Sequence, residues 1–289
     1  MAPLVVIVGP TASGKSAAAL EIAERHDGEI ICADSRTIYK YMDIGTAKPS
    51  KADQSRVPHW GIDLVEPGEL FTAADFQAYA RLKIDEIRAR GRVPILVGGS
   101  GLYIDAVILD YEFGPAANKV LRGQLETMTI KQLHAYCVKH NVVQPENRLN
   151  KRYLMRAIEQ QTINTKRRGQ PSPQTLVVGI ATDRDVLRER ITTRAEHLFA
   201  QGMVEEAITL GERYGWESEA MTGNIYKLVR QFERGDISEA DLKQEFVTAD
   251  WQLAKRQLTW FRRHDFITWL PVEQIAEFID SRLAQMNNS

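Results

Sequence analysis

The sequence predicts an α/β fold: a parallel, doubly wound sheet core with a helical insertion domain and a helical C-terminal part. Three observations predict it. Short apolar runs at 4–8, 29–33, 94–97 and 175–180 have the length and composition of buried strands. The first three are each followed by a loop and then a helical pattern, the order that builds a parallel sheet. From about Gly114 to Ser172 no such run occurs, and the strand type returns at Thr175, as it does when helices are inserted into a sheet domain.

The first strand, Leu4-Val5-Val6-Ile7-Val8, leads into Gly9-Pro10-Thr11-Ala12-Ser13-Gly14-Lys15-Ser16. These eight residues match G-x-x-x-x-G-K-[ST], the phosphate-binding P-loop, and the core is therefore expected to be P-loop NTPase-like. A helix is predicted from Ala17 to Arg25. A loop between a strand and a helix N-terminus aims backbone N–H groups and the positive helix end at an anion. Lys15 adds a point charge, and the Ser16 hydroxyl is placed to ligate Mg²⁺.

The second strand ends at Asp34-Ser35. Phe76, Tyr79, Ala80, Lys83, Ile84 and Ile87 follow a 3.6-residue period, which predicts a helix over 71–90 that Gly91 stops. Pro94-Ile95-Leu96-Val97 is the third strand, followed by Gly98-Gly99-Ser100-Gly101 and a helix from Leu102. Ligands of open α/β sheets bind outside the carboxyl ends of the strands, so loops 9–16, 34–37 and 98–101 should converge on one crevice. Turn signals at Pro115, Pro145-Glu146-Asn147 and Gly169-Gln170-Pro171 punctuate the insertion. The domains are expected at 1–113 with 173–289, and at 114–172. After the strand at 175–180 the pattern is helical, over 183–200, 202–214, 224–234, 238–263 and 272–286.

Composition narrows the function classes. The 289 residues are 44% hydrophobic and 26% charged with a formal net charge of −1, so any nucleic-acid site must be built from local patches. Cys32 and Cys137 form no C-x-x-C and no metal-spaced cluster, which points to a reducing compartment and away from structural zinc. No apolar run approaches the roughly 20 residues of a membrane span, and a cytoplasmic protein is expected.

Asp34, at the edge of the expected crevice, has the chemistry of a general base or a water-mediated Mg²⁺ ligand, or of a turn aspartate. The Gly98–Gly101 loop is either a surface for close approach of a base or phosphate, or a tight turn capped by Ser100. Basic residues concentrate in two places. Between Asn147 and Arg168, Arg148, Lys151, Arg152, Arg156, Lys166, Arg167 and Arg168 face only Glu159 in sign. In the second, Lys255, Arg256, Arg262 and Arg263 flank Trp260 and Phe261. Charge with aromatics suits RNA; the alternative is solvated helix faces with the two aromatics in the core. His59 could pair with Asp63, and a satisfied structural histidine is the simpler reading.

Several segments together resemble the tRNA dimethylallyltransferase (tRNA isopentenyltransferase) family. They are Gly9 to Ser16, Ala33-Asp34-Ser35, Met42-Asp43-Ile44-Gly45-Thr46-Ala47-Lys48-Pro49, Pro58-His59-x-x-x-Asp63, Val97 to Tyr103, Arg156-Ala157-Ile158-Glu159, and Leu253 to Arg262. The resemblance implies transfer of a dimethylallyl group from its diphosphate to N6 of the adenosine 3′ to the tRNA anticodon, by a magnesium-dependent, monomeric enzyme. It implies that Gly9, Pro10, Thr11, Ala12, Ser13, Gly14, Lys15 and Ser16 hold the diphosphate, with Lys15 and Mg²⁺ on Ser16 neutralising the leaving group. Thr11, Lys15 and Asp34 would be catalytic, Asp34 as the base. Asp34, Ser35, Arg36, Thr37 and Ser100 would meet the target base and its neighbours. Arg122, Arg152, Arg156, Lys255 and Arg256 would contact the RNA, the insertion clasping the anticodon stem-loop.

Some positions depart from the family pattern. Trp60 stands where a second His is usual. Ile225-Tyr226-Lys227-Leu228 replaces Gly-Tyr-[RK]-Gln, Thr222 stands where an arginine is common, and Trp251 where Arg precedes Gln-Leu-Ala-Lys-Arg. A small-metabolite or nucleotide kinase would use the same loop with ATP, and a non-catalytic RNA-binding protein with a vestigial P-loop is a third reading. No paired lid arginines stand out for the kinase. Intact Lys15, Ser16 and Asp34 oppose the vestigial reading.

Overall fold

The computed structural model describes residues 1–114, 118–145, 147–160 and 168–287. Six parallel strands form one sheet in the order β3-β2-β4-β1-β5-β6. They are β1 Leu4–Val8, β2 Gly28–Cys32, β3 His59–Trp60, β4 Val93–Gly98, β5 Thr175–Ile180 and β6 Thr268–Leu270. β1, β2, β4 and β5 are buried almost throughout, which is why they read as unbroken apolar runs. β3 and β6, at two and three residues, are too short to give a sequence signal.

The helices over the sheet domain are α1 Lys15–Arg25, α2 Lys51–Arg56, α3 Ala73–Ala89 and α4 Gly101–Ile108. α5 Lys119–Thr127, α6 Ile130–Lys139 and α7 Lys151–Gln160 follow. The C-terminal set is α8 Arg184–Ala200, α9 Met203–Tyr214, α10 Asn224–Glu233, α11 Glu239–Phe261 and α12 Val272–Asn287. A 3-10 turn, Ala220–Thr222, precedes α10. Starts are set by capping side chains. Thr72 with Asp75 caps α3, and Ser238 with Asp241 caps α11, each pair satisfying backbone N–H groups reciprocally.

The chain divides into two compact units, Met1–Leu109 with Gln170–Ser289, and Asp110–Gly169. In the first, Val5, Ile7, Ile30, Ile95 and Val178 pack against Ala19, Ile22 and Ala23 of α1 and Ile275, Ile279 and Leu283 of α12. Nearby, the rings of Phe76 on α3 and Tyr103 on α4 stack at 4.2 Å. The second unit has its own core of Leu125, Leu133, Cys137, Leu154, Met155 and Ile158. Among the described residues no helix is long and apolar enough to cross a membrane.

The carboxyl ends of β2 and β4 approach so closely that only glycine fits at 98. A Cβ there would lie 2.0 Å from the Ala33 carbonyl oxygen. Gly98→Ala should therefore lower the unfolding free energy by about 3 kcal/mol or more, since no side-chain motion relieves a backbone clash. Gly123 in α5 has nothing within 4 Å of its virtual Cβ, so Gly123→Ala should raise stability by up to about 1 kcal/mol. Urea titration of both variants checks the opposite signs.

Candidate active site

β1 delivers Val8 to the carboxyl edge of the sheet, and the P-loop turns back into α1. Gly14, the N-cap, takes φ 94°, left-handed backbone that glycine adopts without a Cβ penalty. Ala12 is left-handed too, at φ 61°, which costs a non-glycine residue roughly 1–2 kcal/mol. Two contacts hold this stretch. Ala12 packs against the Leu187–Ile191–Ala254 cluster of α8 and α11. The Thr11 N–H donates to Gln257 Oε1 of α11 at 2.8 Å. Ser13 is fully buried, and its hydroxyl has no hydrogen-bond partner.

Lys15 folds over the loop, its Nζ donating to the Pro10 carbonyl at 2.7 Å. Burial pushes its ammonium down to about 8; the Asp34 charge opposes that shift and Arg194 adds to it. Ser16 is exposed on the first turn of α1. Two further cations reach this side from α8. Arg190 Nη1 donates to the Ser13 carbonyl at 3.4 Å. Arg194 donates to Asp250 Oδ2 at 2.7 Å, and Asn224 donates to the other oxygen. Burial raises the Asp250 carboxyl, against the pull of Arg194. The sequence reading missed this pair; its one signal is the i, i+4 spacing that puts both on one helix face. Beside the loop a cavity of about 550 Å³ is lined by Arg190, Arg262, Trp269 and Val272.

The other two loops meet here. Ala33 donates its N–H to Val97 at 2.7 Å, and its carbonyl accepts the Ser100 N–H at 3.2 Å. Ser100 does not cap its own helix with its side chain. Its hydroxyl instead accepts the Ser35 N–H at 3.0 Å, tying the second glycine loop to the segment that carries Asp34. Asp34 Oδ1 accepts the Arg36 N–H at 2.8 Å, an Asx turn that fixes the carboxylate. On the far side, a Cβ on Gly99 would lie 3.5 Å from the Gly9 carbonyl. The three loops therefore converge on one crevice, as the strand–helix order predicts.

The segment after Asp34 is held from the C-terminal helices. Arg36 spends its guanidinium on the Glu219 and Ala220 carbonyls and the Thr222 hydroxyl. Thr37 is buried, and its carbonyl accepts the Asp63 N–H. The Asp43–Gly45 amides all donate to the Glu206 carboxylate, at 2.6–2.9 Å. Gly45 also receives the Tyr226 ring so closely that a Cβ would lie 2.8 Å from its hydroxyl. Lys48, almost buried, pairs with Asp43 and Asp63 at 2.6 Å each. His59 hydrogen-bonds the Val57 carbonyl rather than Asp63, a structural histidine. The departures from the family pattern have local partners. Trp60 donates its indole N–H to the buried Glu29 and stacks under Lys83 at 4.4 Å. Trp251 lies among Arg184, Arg188 and Lys255 at 5.4–5.9 Å.

Lys255 and Arg256 are exposed on α11. Phe261 is fully buried, while Trp260 is half-buried and donates to Asp105 at 2.9 Å, so neither presents a free ring. In the second unit, Arg122 binds both oxygens of Glu159 at 2.6–2.7 Å, and Arg156 approaches the same carboxylate at 3.5 Å. Arg152 is exposed. Lys166 and Arg167, and the turn positions Pro115 and Glu146, lie outside the described residues.

A strand, P-loop and helix facing a fixed carboxylate across one crevice define a protein of the P-loop α/β class. The chain belongs to the IPP transferase family, whose model matches residues 37–264. A tRNA dimethylallyltransferase from Pelotomaculum thermopropionicum is 38% identical over 290 residues, covering 95% of this chain and 92% of that protein. The crystal structure of a full-length tRNA isopentenylpyrophosphate transferase from Bacillus halodurans aligns with TM-score 0.77 at 34% identity. It covers 100% of this chain and 99% of that one. A Staphylococcus epidermidis tRNA delta(2)-isopentenylpyrophosphate transferase aligns at 0.74 and 31%, with 100% and 99% coverage. A eukaryotic dimethylallyltransferase, at 20% identity and TM-score 0.79, shares the fold.

The lowered Lys15 ammonium is testable. Below about 8 it is charged, and above it is largely neutral, whereas an ordinary lysine holds its proton to about 10.5. Acylation of Lys15 by an amine-selective reagent, read by peptide mass spectrometry, should rise with pH to a midpoint near 8. Inorganic pyrophosphate, an added anion, should move that midpoint upward.

Proposed function

We propose that this protein transfers a dimethylallyl group from dimethylallyl diphosphate to N6 of the adenosine 3′-adjacent to the anticodon in tRNA, giving N6-isopentenyladenosine and pyrophosphate. The observation that supports it most is the placing of Asp34 and Lys15 at one crevice, where the charge of one acts on the other. Family membership favours this reading over the kinase.

The P-loop, Gly9 to Ser16, holds the diphosphate, with the backbone N–H groups at the start of α1 and the N-terminal dipole of that helix turned to it. The buried Ser13 hydroxyl supplies a donor for which the chain itself offers no acceptor. Thr11 and Lys15 stabilise charge growing on the departing oxygen. The bond between C1 of the dimethylallyl group and the diphosphate breaks with its electrons going to pyrophosphate. The N6 lone pair bonds C1, and the N6 proton goes to the Asp34 carboxylate.

Mg²⁺ would be held by the Ser16 hydroxyl and by diphosphate oxygens, and would neutralise the leaving group. Among the described residues no group of three or more His, Cys, Asp or Glu forms a metal cluster. An exposed hydroxyl at a helix N-terminus suits a cation that keeps most of its waters and arrives with its diphosphate. The adenosine, drawn out of its stack, meets Asp34, Ser35, Arg36, Thr37 and Ser100. Arg122, Arg152, Arg156, Lys255 and Arg256 bind the anticodon stem-loop, Arg122 and Arg156 with guanidinium groups already oriented by Glu159. The enzyme works as a cytoplasmic monomer.

Incubation with Mg²⁺, unmodified tRNA and labelled dimethylallyl diphosphate, in parallel with labelled ATP and small acceptors, tests this reading. Label should enter tRNA from the diphosphate. No label there, with phosphorylation of an acceptor, would replace the proposal with the kinase. Asp34→Ala should lower transfer by about 10²–10⁴-fold, the range for loss of a general base, with tRNA and pyrophosphate affinities little changed; retained turnover removes Asp34 as the base.

A further inference from the structure

We infer that Gln257 is a positioning residue for the transfer: its amide sets the separation between the diphosphate cradle and the acceptor loop. This rests on the proposed prenyl transfer and adds to it a residue that touches both halves of the crevice.

Gln257 sits on α11 with one end of its amide on each glycine-bearing loop. Oε1 accepts the Thr11 N–H at 2.8 Å, so the P-loop is pinned at the residue before the left-handed Ala12. Nε2 lies against Gly99, where a Cβ would come within 2.2 Å of it. The same helix fastens both loops at its neighbouring positions. Ala254 packs with Ala12 and Leu258 in the α8–α11 cluster. Trp260 covers Gly101, where a Cβ would lie 2.3 Å from its ring, and its indole donates to the buried Asp105 of α4. Gln257, Leu258 and Trp260 lie three, four and six residues beyond Ala254, on one side of the helix. Gln257 is the one of these four whose hydrogen bond reaches the P-loop backbone.

The consequence is geometric. The attacking N6 is oriented by Asp34 and Ser100, on the loops that end β2 and β4. The leaving group is held by the loop that ends β1. In-line displacement at C1 needs those two holders at one separation, and a misplacement of about 1 Å costs on the order of 10²-fold in rate. A short amide wedged between the loops fixes that distance without binding either substrate itself. Glycine at 99 follows from it: any side chain there would push the amide off Thr11.

The test is Gln257→Leu, Gly99→Ala and the double variant, each assayed for transfer to tRNA. Kd for inorganic pyrophosphate, Kd for tRNA and melting temperature are measured alongside. Gln257→Leu should lower kcat by about 10- to 100-fold and leave both affinities within about threefold, a change of under ~0.7 kcal/mol. Gly99→Ala should lower kcat in the same way by displacing the amide. The double variant should be no slower than the slower single, because both act through one contact. Unchanged kcat in Gln257→Leu overturns the inference. So does a loss explained by weaker tRNA binding, which makes Gln257 an RNA contact, or a kcat loss that follows a fall in melting temperature across the three variants. Absence of transfer by the wild-type protein would instead refute the proposed function, so the two failures are distinct.

Discussion

The site depends on one close approach, that of the end of β4 to the end of β2. Val97 accepts the Ala33 N–H, Ala33 accepts the Ser100 N–H, and Gly98 leaves no room for a Cβ between them. This places Asp34 one residue beyond the contact, beside the glycine loop that begins α4. The carboxylate is then fixed by its own Asx turn and by the Ser100–Ser35 bond. β1 lies on the other side of β4, so its P-loop opens into the same space. Parallel strands in the order β2-β4-β1 therefore bring the P-loop and the Asp34 carboxylate together at one edge of the sheet.

The C-terminal helices restrain this edge from outside the sheet. α11 holds the P-loop through Gln257 and the second glycine loop through Trp260. The turn before α10 holds Arg36, and Glu206 of α9 gathers three successive amides of the Asp43–Gly45 segment. In the Asp-Ile-Gly-Thr-Ala-Lys-Pro segment the glycine admits a tyrosine ring, the lysine is buried between two aspartates, and the Asp43–Gly45 N–H groups are bound by Glu206. Burial and paired charge together fix the conformation of this loop.

What could be read in the sequence was what is local. Buried parallel strands are apolar on both faces, so β1, β2, β4 and β5 stood out, and the P-loop is contiguous. Asp34 is legible as a candidate because it directly follows the apolar run 29–33. β3 and β6 have too few residues to show a period. Gln257 and Thr11 are 246 residues apart, and nothing in either neighbourhood signals the bond. The same holds for Arg36, whose partners at 219–222 are fixed only by the packing of α9 and α10. Ser100 looked like a helix cap by position, yet its hydroxyl bridges loops, a choice made by the approach of β2. Trp60 stands where a second His is usual, and its indole N–H is satisfied by Glu29.

The most direct measurement is a crystal structure with Mg²⁺ and a thio-substituted, slowly reacting dimethylallyl diphosphate. The diphosphate should lie on the Gly14–Ser16 amides, with Lys15 swung from the Pro10 carbonyl onto a phosphate oxygen and C1 directed toward Asp34. A diphosphate bound away from the P-loop, or one bound there with C1 pointing away from the Asp34–Ser100 side, would contradict it.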